Sequence, residues 1–176
     1  VFVLAAPSLT AQAEERPAPA QSIQVYFSPK GGCQAAIIHE IEAAKVSIKV
    51  QAYSFTSAPM AKALLQAKKR GVGVEVILDK SQETARYSSA TFFHNQGIPL
   101  LIDDKHAIAH NKIIIIDQKV VITGSFNFSK AAEERNAENL LVIKGFPGLA
   151  KKYLTNYQIH RKHSRKYNPR KKGVRR

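Results

Sequence analysis

The sequence holds a single cysteine, Cys33, among 176 residues. That excludes a disulfide scaffold and a cysteine-ligated zinc site, and burial is the state expected of the lone thiol. No apolar run approaches the roughly 18 residues of a membrane-crossing helix, so no stable membrane span is expected. Acidic residues stop early. None follows Glu138, whereas residues 151–176 carry eleven lysines and arginines. The whole chain has 27 basic and 13 acidic side chains, a formal net charge of +14. Only +3 of that belongs to the first 150 residues. A nearly neutral body thus ends in a cationic arm, which suits nucleic acid or a phospholipid surface. The apolar fraction of 44% excludes wholesale disorder, and the length suits one domain with a real core.

Residues 1–20 read as a signal peptide and lead-in. VFVLAA is a short apolar stretch, and Ala11-Gln12-Ala13 has the small-x-small pattern that precedes a signal-peptidase cut. Export to the periplasm or the medium is the expectation. Residues 21–160 form the expected catalytic domain, and 161–176 a basic tail. Arg161, Lys162, Arg165, Lys166, Arg170, Lys171 and Lys172 of that tail are the candidate nucleic-acid contacts, with Tyr167 as the candidate stacking residue.

Within the body, strand and helix patterns alternate. SIQVYF reads as a strand, and a helical run from Gly31-Gly32 to Ala44 places Ile37, Ile38 and Ile41 on one face. VSIKVQAYSF, VGVEVILD and IPLLID read as further strands. Helices are expected between them, from Pro59 to Gly71 and, more weakly, from Thr84 to Asn95. Residues 107–117, 119–123 and 137–143 then read as strands with little helix between them. The β-branched run Ile113–Ile116 suits a central strand covered on both faces. Leu149, Tyr153, Tyr157 and His160 mark a last helix with one docked face. The fold class is α/β, a layered mixed sheet flanked by helices on both faces.

The chemistry concentrates around His110, Lys112, Asp117, Gly124, Ser125 and Asn127. On one strand His110 and Lys112 share a face about 7 Å apart, within reach of one phosphate. Asp117-Gln118-Lys119 can turn the chain into a hairpin centred near Gln118. Gly124 then lies opposite Lys112 and Phe126 opposite His110, which brings Ser125 and Asn127 to the same end. An ammonium, an amide, a hydroxyl and an imidazole make a phosphate site. No carboxylate cluster suited to Mg²⁺ or Ca²⁺ accompanies them, so neither a metal nor another cofactor is expected. Asp103-Asp104 reads as ordinary turn chemistry. His39, His94, His160 and His163 read as surface or capping residues, and His106 lies some 13 Å from His110 along an extended chain.

The spacing His-x-Lys-x4-Asp-x6-Gly-Ser, standing here in HNKIIIIDQKVVITGSFN, resembles the phospholipase D superfamily. Within that superfamily the chain looks like the small bacterial Nuc-type endonucleases with one motif per chain. The resemblance implies that His110 is catalytic, that Lys112 and Asn127 hold the phosphate with Ser125 in support, and that Asp117 is a structural acid of the motif. It also implies that Glu138 hydrogen-bonds the far imidazole nitrogen. One motif per chain further implies a homodimer in which two copies of His110 meet at one phosphate, since an isologous interface brings identical residues to its axis. The reaction expected is metal-independent, non-specific cleavage of DNA, or of RNA, through a phosphohistidine. A lipid phosphodiesterase and a non-catalytic nucleic-acid-binding protein are the alternatives.

Overall fold

The computed structural model describes residues 20–169. The signal-peptide reading, apart from Ala20, and the contacts assigned to Arg170, Lys171 and Lys172 lie outside the described residues. Eight strands form one sheet: β1 (Ser22–Ser28), β2 (Ser47–Ala52), β3 (Gly73–Asp79), β4 (Leu100–Asp103), β5 (Lys112–Ile116), β6 (Val120–Gly124), β7 (Glu138–Lys144) and β8 (Arg165–Lys166). Their order is β1-β7-β6-β5-β2-β3-β4-β8. The pairs β2–β3 and β3–β4 are parallel and the other pairs antiparallel, so the sheet is mixed, as expected.

Helices α1 (Cys33–Ala43), α2 (Ala58–Lys69), α3 (Ala90–Asn95) and α4 (Lys130–Glu134) cover one face, and α5 (Pro147–His163) the other. Strand alternation divides the core. Ile48, Val50, Ile114 and Ile116 pack with Ile37 and Leu64 on the four-helix side. Ile113 and Ile115 point the other way, onto Tyr157 of α5. The isoleucine run of β5 is therefore buried on both faces. Cys33 is fully buried, and burial together with the Glu133 carboxylate pushes its thiol up to about 11.

The β5–β6 hairpin has the predicted register: Ile113 pairs with Thr123 and Ile116 with Val120. Its turn residues, Asp117 and Gln118, both take left-handed backbone angles, φ 51° and 56°. With Lys119 N donating to the Ile116 carbonyl at 2.9 Å, they make a tight turn within the three-residue loop 117–119. Asp117 then reaches across to β2. Its carboxylate accepts the backbone N–H groups of Lys45 (2.9 Å), Val46 (2.8 Å) and Ser47 (2.8 Å).

Several elements differ from the reading of the sequence. Residues 104–111 form a loop, and the strand begins only at Lys112. The weak helix expected from Thr84 shrinks to α3, preceded by a short 3₁₀ turn at Lys80–Glu83. The tail boundary at residue 161 also shifts. α5 runs to His163, β8 pairs with β4, and Tyr167 is a core residue whose hydroxyl meets Thr91 Oγ1 at 3.1 Å. Tyr167 is therefore not a stacking platform for bases.

Candidate active site

The segment Gly124–Ser129 is built by alternation around two anchors. Phe126 and Phe128 are fully buried in the core. Phe128 also bridges Phe55, and its carbonyl accepts from Thr56 and Ser57. Ser125 and Asn127 alternate with them. Ser125 is exposed, and its Oγ accepts the backbone N–H of Asn139 at 3.0 Å. The side-chain oxygen of Asn127 is buried without a hydrogen-bond partner among the described residues. Such an atom costs about 1–3 kcal/mol until a donor reaches it. Ser125 N and Phe126 N share the Asn139 carbonyl, so a bulge breaks the ladder here. Phe126 consequently turns into the core and does not face His110 as the unbroken register predicted.

Gly124 makes this bulge feasible. Its φ is +150°, and a Cβ there would stand 2.2 Å from the Asn139 carbonyl oxygen. Gly124→Ala must displace β7 or the Ser125–Asn127 segment. A stability loss on the order of 2 kcal/mol is expected by analogy with strained backbone sites, with a larger proportional loss of turnover, read by denaturant melts and kinetics on the same sample.

His110 lies exposed at the end of the 104–111 loop, with its ring against Tyr53 at 4.7 Å between centroids. Lys112 is buried, 6% exposed, and its Nζ donates to the carbonyl of His110 at 2.7 Å. The same ammonium sits 5.2 Å from the centre of the Tyr53 ring. Lys112 thus clamps both the backbone of His110 and the ring that packs on its imidazole. Burial pushes the Lys112 ammonium below the usual lysine range, while the Glu138 carboxylate pulls partly back. Asn111, between them, is held to β2 and the residue that follows it: its Oδ1 accepts from Gln51 Nε2 and its carbonyl from Tyr53 N.

A cleft of about 480 Å³ opens at this end of the sheet, between β5, β6 and the first half of α5. His110, Lys112, Thr123, Lys152, Tyr153 and Asn156 contribute to its lining, and among the described residues no lining residue is acidic. Lys152, Asn156 and Tyr53 were not assigned from the sequence. The i, i+4 spacing of Lys152 and Asn156 on α5 was the available signal for those two.

Three groups of sequence-assigned residues have contacts other than those expected. Glu138 does not meet the imidazole: its Oε1 accepts from Asn136 Nδ2 at 3.1 Å, and no hydrogen bond joins it to His110 among the described residues. Asp117, grouped by sequence with the residues of the chemistry, has the structural role that the resemblance implied. It lies at the far end of β5, five residues beyond Lys112 and hence roughly 16 Å away along the strand, bound to β2 backbone. In the tail, Arg161 is engaged with Glu75 (Nε–Oε1 2.9 Å), and Arg165 with Glu83 (2.6 Å) and Asp104 (2.8 Å). Arg161 ties α5 to the interior strand β3, and Arg165, on edge strand β8, ties that edge to the 3₁₀ turn and to the residue after β4. Lys162 and Lys166 are exposed.

The histidines also differ from expectation. Asp103 has a fully buried side chain, and His106, His160 and His163 all point ring nitrogens at it. The pair Asp103-Asp104 is therefore not mere turn chemistry.

The family model described as "Cardiolipin synthase, PLD-like domain" matches residues 37–160. The chain belongs to the phospholipase D superfamily. It is 43% identical over 142 residues to a protein named "Phospholipase D" from Rickettsia conorii, covering 81% of this chain and 70% of that one. It is 29% identical over 126 residues to a "Mitochondrial cardiolipin hydrolase" of Canis lupus familiaris, covering 66% and 50%. Among solved structures it is similar to Nuc, a phospholipase D family member from Salmonella typhimurium. There the TM-score is 0.81 at 44% identity, covering 85% of this chain and 99% of that one. NucT from Helicobacter pylori superposes with a TM-score of 0.78 at 25% identity, covering 84% and 100%. The chain is thus a phosphodiesterase of the phospholipase D superfamily, with the layered mixed-sheet fold of Nuc.

Proposed function

We propose that the protein is an exported endonuclease that cleaves DNA with little sequence preference through a phosphohistidine. The observation that carries this reading is an exposed imidazole at a cleft lined by Lys112 and Lys152 and, among the described residues, by no acid. A phosphodiester brings one negative charge, so such a cleft attracts it and repels little. His110 attacks phosphorus in line, the new P–N bond forms, and the bond to the leaving oxygen breaks. A second imidazole gives that oxygen its proton and then takes one from the water that cleaves the P–N bond. Lys112, Ser125 and Asn127 supply donors to the phosphoryl oxygens.

The second imidazole is His110 of a second copy. Ile23, Val25 and Phe27 of edge strand β1 stand 61%, 52% and 63% exposed on one face. Phe27 pairs with Asn139, beside Ser125, so this apolar ridge reaches the same end of the sheet as His110. A ridge of that kind suits an isologous contact across a two-fold axis.

Incubating purified protein separately with plasmid, single-stranded RNA and phosphatidylcholine vesicles tests the substrate class. Plasmid nicking is the expected result, and exclusive release of choline would overturn it. The lipid arm follows from the names of the Rickettsia and dog relatives. Below the melting temperature of the chelated protein, excess EDTA should leave turnover unchanged. Loss of turnover in a still-folded sample, restored by Mg²⁺, would contradict the metal-free chemistry.

Because Arg161, Arg165 and Tyr167 belong to the fold, the binding arm is best tested by removing residues 170–176 alone. That deletes five basic residues and no acidic one. Each phosphate contact contributes about −0.7 to −0.9 to the slope of log K against log[salt]. The truncated protein should show a shallower slope and a higher KM on long DNA, with unchanged turnover on a small phosphodiester. Equal losses on both substrates would remove the arm from substrate binding.

A further inference from the structure

Asp103 ends β4, His106 lies in the following loop, and His160 and His163 occupy the last turn of α5. His106 Nδ1, His160 Nδ1 and His163 Nε2 stand 3.1, 2.7 and 3.2 Å from the same oxygen, Asp103 Oδ2. The four ligand atoms lie within 4.8 Å of one another. The three ring centroids form a near-equilateral triangle with sides of 4.8, 5.2 and 5.2 Å.

That triangle has the size of a metal site. With Zn–N near 2.0–2.1 Å, a coordinated imidazole centroid lies about 3.2 Å from the ion, and tetrahedral angles separate two such centroids by about 5.2 Å. The other Asp103 oxygen, Oδ1, accepts the backbone N–H of Lys105 at 3.2 Å. This orients the carboxylate, as an outer-shell hydrogen bond does in established metal centres. His160 and His163 are three apart on one helix and so share a side.

We infer that Asp103, His106, His160 and His163 form a binding site for a zinc-type divalent ion that braces the fold. Three nitrogens and one carboxylate oxygen suit Zn²⁺ and are poor ligands for Mg²⁺ or Ca²⁺. Four protein ligands leave no open position, so the ion is structural. It ties the end of β4 to the end of α5, and to the loop that delivers His110. Lys80 already holds this loop by donating to the His106 carbonyl at 2.9 Å. The inference is independent of which phosphodiester the protein cleaves.

The test uses untagged full-length protein, stripped with chelator and titrated with Zn²⁺ by calorimetry, with metal content read by mass spectrometry. About one zinc per chain should bind, and Co²⁺ in its place should give the visible bands of a tetrahedral centre. Loading should raise the melting temperature by several degrees. His163→Gln and His160→Gln should each weaken binding by about 100-fold or more and abolish the metal-dependent melting shift. His94→Gln, outside the cluster, should change neither. If His160→Gln fails to fold, His163→Gln carries the test, because its side chain is already 26% exposed. A stripped wild-type protein with no saturable zinc site would overturn the inference, leaving a histidine–carboxylate hydrogen-bond hub. Equal affinity in wild type and His163→Gln would overturn it as well.

Discussion

His110→Ala should lower cleavage by at least about 10⁴-fold, the scale on which nucleophile removal acts in enzymes with covalent intermediates. The fold should survive, because the side chain is exposed and its backbone is held by Lys112 through the carbonyl, which alanine keeps. DNA affinity should remain near that of the wild type. The shared-site proposal makes a sharper claim. Heterodimers of wild type with His110→Ala retain one imidazole at the axis, where two are required. They should show less than about a tenth of wild-type turnover, on the reasoning that acid–base assistance alone is worth about 10²–10⁴. Differently tagged chains, co-expressed and separated, allow the measurement. Half-activity in the heterodimer would assign each chain a complete site.

Asp117→Ala should instead act on stability. The carboxylate accepts three backbone N–H groups at the entrance to β2, and hydrogen bonds to charged groups are worth about 1.5–3 kcal/mol each. Part of that returns through hydration of the freed amides, so a loss of about 3–5 kcal/mol is expected. Turnover per folded molecule should stay within about threefold, since Asp117 lies at the opposite end of β5 from the cleft. Burial alone would raise the Asp117 carboxyl, but the amides of Ser47, Lys45 and Val46 outweigh it and hold it below the usual carboxylate range. A depressed folded-state value means stability that is present above the unfolded value, near 3.9, and lost as pH falls through the folded one. The wild type should therefore lose stability toward acid more steeply than Asp117→Ala. Parallel acid limbs, or a collapse of turnover in folded Asp117→Ala, would return this residue to the chemistry.

The site was legible in the sequence where it depends on local geometry. The hairpin register followed from a compact polar turn, and the burial of β5 from four consecutive isoleucines. The alternation of Ser125 and Asn127 with two phenylalanines then separated the polar side chains from the two that enter the core. Reading failed where the determining contacts are long-range. The bulge at Ser125 depends on the Asn139 carbonyl, fourteen residues away. The role of Asp117 depends on amides some seventy residues earlier. Arg161 and Arg165 looked like a free cationic arm because Glu75, Glu83 and Asp104 are distant in sequence. The Asp103–histidine cluster joins segments 57 and 60 residues apart, so spacing rules for metal sites had no local pattern to match. Even the histidine–lysine relation changed in kind. Residues 110 and 112 were read as two side chains sharing a strand face, whereas Lys112 grips the backbone of His110 from below.

Identification of the covalent intermediate tests the central claim most directly. The protein would be mixed with a short DNA substrate, quenched in alkali within a single turnover, digested and analysed by mass spectrometry. A phosphoramidate-linked nucleotide on the peptide that carries His110, absent from His110→Ala, is the predicted result. An adduct on any other residue would contradict the account. So would full single-turnover cleavage with no adduct at any sampled time.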